Sequence, residues 1–336
     1  MSITPIEAAT HSTTANNATR DEAGGERFTL AHFSDPHFAR VDHIEKSDLF
    51  NKRLLGFLRW KLKRRAEHSD ELLTILRQDL QRTKPNHIAI TGDLTQLGLP
   101  IEFQTVHAWL QTIGPAKRVT VIPGNHDTYV QTDWQSTFAH WSEYMAADGT
   151  DRPAEMVTDL NGFFPTLRIR DRIALIGINT AHPTGLHLAT GTIGSGQLQK
   201  LETILKNLSG RDLFRIILIH HPPAQHVVSW RRSLTDAASL RMLLERYGAE
   251  MVLFGHAHRK VFANLETPSG LIPAIGVPSA SSRSDKDDRR SCYYLYEIIS
   301  TVTGWKVHMV ERFFSSEKHR FVDGQQQHFT FPVRAG

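Results

Sequence analysis

The sequence predicts a layered α/β fold, and three observations predict it. Apolar runs with the character of strands alternate with amphipathic helical runs along most of the chain. Strand-like runs follow near the C-terminus with no helix between them, which suggests antiparallel strands completing the sheets. Five of the apolar runs each stop at a short cluster of Asp, Asn or His. Open α/β sheets bind their ligands at such carboxyl ends.

Residues 1–26 are rich in Thr, Ala, Asn and Glu without a continuous apolar run, so a flexible tail is expected there and not a secretory signal. A buried strand is expected over 28–33, stopping at Ser34-Asp35-Pro36-His37. An amphipathic helix over 47–65 and a second helix over 69–82, opened by the good N-cap Ser69, come next. The strand at 87–90 ends in Thr91-Gly92-Asp93, and 101–113 has helical spacing. The strand at 118–122 ends in Pro123-Gly124-Asn125-His126-Asp127, and that at 173–178 ends at Asn179. After a helix over 196–208, the strand at 214–219 ends in His220-His221-Pro222-Pro223. After a helix over 234–247, the strand at 251–254 ends in Gly255-His256-Ala257-His258. Short strands are expected around Val261, Leu271, Tyr293 and Val307.

Hydrophobic residues make up 40% of the 336 residues and charged residues 22%, which supplies a sizeable core. The net charge of +4 suits anionic substrates without calling for nucleic acid. No apolar run reaches the ~18–20 residues of a membrane-spanning helix. The single cysteine, Cys292, excludes an intrachain disulfide and fits a reducing compartment, so a cytoplasmic location is the expectation. Cys292 itself reads as a buried small hydrophobe within a strand.

Of the 19 histidines, only those at ligand spacing count as evidence. The candidate metal ligands are Asp35, His37, Asp93, Asn125, His220, His256 and His258. Any one alone has a plainer reading: a structural histidine, a turn asparagine, a capping aspartate. In Asp35-x-His37 and His256-x-His258, an extended backbone would point both side chains the same way. Glycines precede Asp93, Asn125 and His256, where a small residue permits a tight turn. The donors mix nitrogen and oxygen with no thiolate, which suits Zn, Fe, Mn, Co or Ni. A bridging carboxylate with three or four further ligands per ion implies two metals, about 3.5–4 Å apart. Asp127 is expected to support the site without binding metal. His182, His187 and His226 match no metal block.

The ordered blocks Asp35-x-His37, Gly92-Asp93, Gly124-Asn125-His126-Asp127, His220 and Gly255-His256-x-His258 resemble the signature of the calcineurin-like metallophosphoesterases. The resemblance covers about residues 27–312, expected as one catalytic domain, with 313–336 as a C-terminal tail. It implies a four-layer α/β/β/α sandwich, two mixed β-sheets flanked by helices. It implies that Asp35, His37, Asp93 and His258 hold one metal and that Asp93, Asn125, His220 and His256 hold the second, with Asp93 bridging. His126 would be a catalytic residue beside the substrate, and His221 would not be a ligand. The two ions, Mn, Fe or Zn, would hold a bridging hydroxide for in-line attack at phosphorus.

Asp35-Pro36-His37, Gly124-Asn125-His126-Asp127 and His220-His221-Pro222-Pro223 look like the class III branch, which hydrolyses cyclic nucleotides and glycerophosphodiesters. A phosphodiester or other phosphorylated small molecule is therefore the expected substrate. The stretch from Asn51 to Ala66 adds seven basic residues and no acidic one. Phe50, Leu54, Leu58 and Leu62 form an i, i+4 apolar stripe through it. Either this is a core helix with a solvated basic back, or it lies on an anionic membrane or lipid substrate, making the protein peripheral. The second case would fit nucleotide–lipid pyrophosphatases such as the UDP-diacylglucosamine hydrolases, although one main group of those has Asn-Arg where this chain has Asn125-His126. Relatives also include nucleases, but the basic cluster is local and aromatic interleaving is sparse elsewhere. A scaffold that had lost its chemistry would have lost ligands, and none is missing.

Overall fold

The structure is a computed structural model and describes residues 26–37, 53–59, 67–149, 159–268 and 270–332. Among the described residues, twelve strands form two six-stranded sheets. In the first sheet the order is β12 (Arg320–Pro332), β11 (Gly304–Ser315), β10 (Cys292–Thr301), β1 (Arg27–Phe33), β2 (His87–Ile90) and β3 (Val119–Val121). In the second it is β4 (Thr166–Arg170), β5 (Ile173–Gly177), β6 (Phe214–Leu218), β7 (Met251–Phe254), β9 (Gly270–Gly276) and β8 (Val261–Thr267). Strands β1, β2 and β3 are mutually parallel, as are β5, β6, β7 and β9, while the flanking pairs are antiparallel. Both sheets are therefore mixed.

Period-two alternation explains how the sheets stack. Ile173, Leu175, Phe214, Ile216, Leu218, Met251 and Leu253 point from the second sheet into a core shared with the first. The intervening Ala174, Ile176, Ile217, Val252 and Ala274 face the other way, onto Leu201, Leu205, Leu240 and Leu244. Those leucines come from two helices expected from the spacing, Ser195–Leu208 and Ala237–Tyr247. Beyond the first sheet, Leu73, Leu76 and Leu80 of helix Asp70–Thr83 and Phe103, Val106 and Leu110 of helix Pro100–Ile113 join the shared core. Helix, sheet, sheet, helix is the sandwich that the motifs implied.

Among the described residues the α-helices are, in chain order, α1 (Arg53–Arg59), α2 (Asp70–Thr83), α3 (Pro100–Ile113), α4 (Ser142–Met145), α5 (Leu160–Phe163), α6 (Ser195–Leu208) and α7 (Ala237–Tyr247). Of the helix expected over 47–65, only α1 is described; Phe50, Lys52 and the stretch from Trp60 to Arg65 lie outside the described residues. What is described departs from the expected apolar stripe. Leu54 is 44% exposed, whereas Arg53 is buried and donates to the carbonyls of Leu97 (3.1 Å) and Gly98 (2.6 Å). Those loop carbonyls favour the guanidinium inside over a leucine. Phe57, like Tyr129, packs on the pair Leu97 and Leu99, so α1 seats against the loop that follows β2.

The boundary expected after Arg312 falls within β11, and the stretch beyond it is paired structure. Residues 320–332 form β12, hydrogen-bonded to β11 along its length. Its sequence, Gly324-Gln325-Gln326-Gln327, hides a strand because an edge strand needs few apolar residues. A buried charge cluster ties this edge to α2. Asp79 accepts from Arg312 Nε at 3.0 Å and from the Tyr293 hydroxyl at 2.7 Å, and Arg82 joins them. Removing Asp79 leaves the Arg312 charge with only the exposed Asp323 as counter-ion, so Asp79→Ala is expected to lose about 3 kcal/mol of stability in urea unfolding. A loss below 1 kcal/mol would show that the cluster does not hold the edge.

Candidate metal centre

Five strands point their carboxyl ends at one place: β1, β2 and β3 from the first sheet, β6 and β7 from the second. The sheet ladders continue past the strand ends as single hydrogen bonds. Asp35 N donates to Gly92 O (3.0 Å), His37 N to Asp93 O (3.0 Å) and Gly255 N to His220 O (3.2 Å). The loops bearing the candidate ligands are therefore fixed to one another by backbone.

The extended geometry expected for the two paired motifs is not what the chain adopts. Asp35, His37, Asp93, His256 and His258 all have left-handed backbone, with φ of 51°, 42°, 56°, 63° and 50°. Each such residue costs on the order of 1–3 kcal/mol, a strain that functional sites typically hold against their surroundings. The turn curls each loop around the centre instead of letting it run outward. The glycines act in two ways. Gly92 has φ of +95°, as a tight turn requires, whereas Gly255 is needed for room, since a Cβ there would strike Ser34 and the Asp35 carboxylate.

Two carboxylate-bearing groups of candidate ligand atoms result among the described residues, the atoms of each within 4.8 Å of one another: Asp35, His37, Asp93 and His258, and Asp93, His220 and His256. Asp93 belongs to both. Asn125 joins the second group through Oδ1, 3.2 Å from His220 Nε2. His37, His220 and His256 are each oriented by the other ring nitrogen. His37 Nδ1 donates to Thr95 O (3.2 Å), His220 Nδ1 to Thr91 O (2.7 Å) and His256 Nε2 to Arg232 O (2.9 Å). That leaves Nε2 of His37 and His220, and Nδ1 of His256, as donors to a cation.

The chemistry of the site fits such cations. Asp35 Oδ1 is buried and accepts no hydrogen bond, with His258 Nε2 at 3.1 Å. His37 Nε2 and His258 Nε2 face each other at 3.3 Å, lone-pair side toward an imidazole. Burial holds His37 and His256 well below the ordinary imidazole range, so they are neutral, as ligands must be. Burial also lowers His220, but Asp93 overrides it and raises the pKa to about 9; a metal would displace that proton. Burial would raise Asp93, yet His220 foremost, then His126 and His37, keeps it well below the carboxylate range.

His126 stands beside both groups. Its Nδ1 donates to Gln96 O (2.6 Å), its backbone N–H to Asp93 Oδ1 (2.7 Å), and its ring lines the cleft. Asp127 braces the same loop: Oδ1 accepts from Thr95 N (2.8 Å) and Oδ2 from Gly124 N (2.8 Å). Burial and Asp93 raise Asp127 to about 7. His221 lies in neither group; its Nδ1 meets Thr180 Oγ1 at 2.7 Å. His187 lines the cleft, while His182 and His226 do not. The sequence reading missed His68, whose ring centroid is 4.6 Å from that of His37 and whose nitrogen groups with those of His37 and His258. It sits in a plain stretch before α2, and no motif marks it.

The cleft over the centre has a volume of about 810 Å³. Leu97, Leu186, Leu188, Val227 and Val228 give it an apolar wall, and Arg232, Arg259 and Arg289 a cationic one.

This chain belongs to the calcineurin-like phosphoesterase family, whose family model matches residues 28–260. It is thus a hydrolase of phosphate esters from a family that works with a dinuclear metal centre. It is similar to a probable cyclic nucleotide phosphodiesterase of Synechococcus, 23% identical over 214 residues, which are 62% of this chain and 71% of the relative. Among solved structures, a dimetal phosphatase from Danio rerio aligns over 90% of this chain and 98% of its own, at 12% identity and TM-score 0.51. A purple acid phosphatase from yellow lupin aligns over 92% of this chain and 54% of its own, at 11% identity and TM-score 0.58. At these identities the structural likeness speaks for the fold alone. Among the described residues, no helix is long and apolar enough to cross a membrane.

Proposed function

We propose that the protein is a two-metal phosphodiesterase acting on a small phosphodiester. The observation that carries this is the sharing of Asp93 between the two ligand groups, which gives a place for two cations joined by one carboxylate. Asp35, His37, Asp93 and His258 would hold one ion, and Asp93, Asn125, His220 and His256 the other. When bound, such a pair supplies Lewis acidity at the phosphoryl group and brings the pKa of water toward about 7. The chain's own part is to place the substrate and manage a proton. With Nδ1 donating to Gln96 O, the Nε2 side of His126 serves the cleft, where the ring, carrying a second proton as imidazolium, would donate that proton to the phosphoryl group or the departing oxygen. The likeness to a probable cyclic nucleotide phosphodiesterase supports a diester over a monoester.

A second reading is favoured by the apolar wall of Leu97, Leu186, Leu188, Val227 and Val228, with Gly56 of α1 at the same cleft. These would suit a nucleotide–lipid pyrophosphate, and the basic stretch around α1 an anionic lipid surface. One experiment separates the readings. Protein dialysed against chelator, then loaded with Mn or Zn, is assayed on cyclic nucleotides, glycerophosphodiesters, nucleotide–lipids and single-stranded DNA. Hydrolysis of small diesters, abolished by the chelator and restored by metal, is expected. Turnover of the nucleotide–lipid alone would select the second reading, and full activity without metal would sink both.

A further inference from the structure

We propose that His68 contacts the substrate directly, donating a hydrogen bond to a phosphoryl oxygen from the His37–His258 side of the centre; this rests on the phosphoesterase reading above. His68 lines the cleft. Its ring lies 4.6 Å from that of His37 and 6.1 Å from that of His258, centroid to centroid. His126 lies 4.9 Å from His37, so His37 has one such neighbour in His126 and another in His68. Its nitrogen groups with those of His37 and His258, yet His68 stands outside the group that brings in the two carboxylates, Asp35, His37, Asp93 and His258. A ring beside a cation site but outside the group that carries its carboxylates occupies the shell where the oxygens of a bound phosphate would be.

The residue is held as a substrate contact must be. The segment from Glu67 to Ser69 is laddered to the loop after β9: Ser69 N donates to Ser281 O (3.0 Å), and Arg283 N to Glu67 O (2.9 Å). His68 pairs with Ser282 in the bridge between them. The same loop is fastened to the metal centre, because the Ser279 hydroxyl donates to Asp35 O at 2.6 Å. With its proton spent on Asp35, Ser279 Oγ acts as an acceptor. The Ser281 hydroxyl then chooses between Ser279 Oγ at 3.3 Å and His68 Nδ1 at 2.8 Å. With that proton given to Nδ1, the shorter contact, the ring's own proton sits on Nε2. A phosphoryl oxygen in the cleft then meets an N–H donor, and hydrogen bonds to charged oxygens are the stronger kind.

His68→Ala and His68→Asn, each loaded with Mn, test this through three readouts: metal content under chelator competition, binding of inorganic phosphate by calorimetry, and kcat and KM on a chromogenic phosphodiester. Metal affinity is expected to stay at the wild-type level. Phosphate binding and kcat/KM should each fall about 10- to 100-fold in His68→Ala, the weight of one hydrogen bond to a charged group. His68→Asn, which keeps an N–H donor, should recover part of the loss. Ser281→Ala frees the tautomer and should show a smaller loss in the same direction. Wild-type phosphate binding in His68→Ala would overturn the proposal, and so would a fall in metal affinity that accounts for the phosphate loss, since that would make His68 a ligand. Wild-type protein that cleaves no phosphodiester would sink the phosphodiesterase reading, and the phosphate-binding comparison would still decide His68.

Discussion

Asp93→Asn is expected to cost the protein metal and turnover together. Asp93 Oδ1 lies 3.5 Å from His220 Nε2 and Oδ2 lies 3.9 Å from His37 Nε2, so its two oxygens serve different ligand groups. Asparagine keeps the size and one acceptor oxygen but replaces the other with an amide that repels a cation. Asp93 itself is only 1% exposed, so little solvent reaches its oxygens to compensate. Losing several kcal/mol of charge stabilisation corresponds to a fall on the order of 10³-fold in kcat/KM. Metal analysis after gel filtration should show fewer ions per chain than in the wild type. A variant that kept full metal content and wild-type turnover would remove Asp93 from the centre and end the two-metal reading.

The parallel core and the five strand ends were legible because each apolar run is bounded by residues that cannot continue it. Val119–Val121 stops at Pro123-Gly124, and Met251–Phe254 at Gly255. Two of the edge strands, β4 and β12, were not legible. Strand β4 reads Thr-Leu-Arg-Ile-Arg, and its Arg168 is buried because it donates to the carbonyls of Ala146, Ala116, Val119 and Glu143. Charge patterning cannot show that four carbonyls wait for a guanidinium. Arg53 in α1 misleads for the same reason.

At the site, types and order were in the sequence, whereas backbone conformation was not. Alternation suggested extended ligand pairs, but the left-handed turns at Asp35, His37, His256 and His258 are imposed by tertiary contacts. One of these is the bond from His256 N to Asp35 Oδ2 at 3.0 Å, which joins loops from different sheets. His68 was invisible for the opposite reason. Nothing local distinguishes it, and its place is set by the distant loop at 279–283.

His126→Ala is expected to separate metal binding from turnover. The backbone N–H of His126 reaches Asp93 Oδ1 at 2.7 Å, and alanine keeps that bond. The side chain spends Nδ1 on Gln96 O and presents the remainder of its ring to the cleft. Its loss therefore removes a donor for the substrate and leaves the ligand set intact. The loop should hold, since Asp127 still pins Thr95 and Gly124. Metal content should match the wild type, while kcat falls about 10²- to 10⁴-fold, the usual weight of a positioned acid–base group. The loss should shrink for diesters whose leaving group is a good one, such as a nitrophenolate, because such an oxygen departs without a proton. Equal losses across poor and good leaving groups would assign His126 to holding the phosphoryl oxygens. Parallel loss of metal would make it a structural part of the centre.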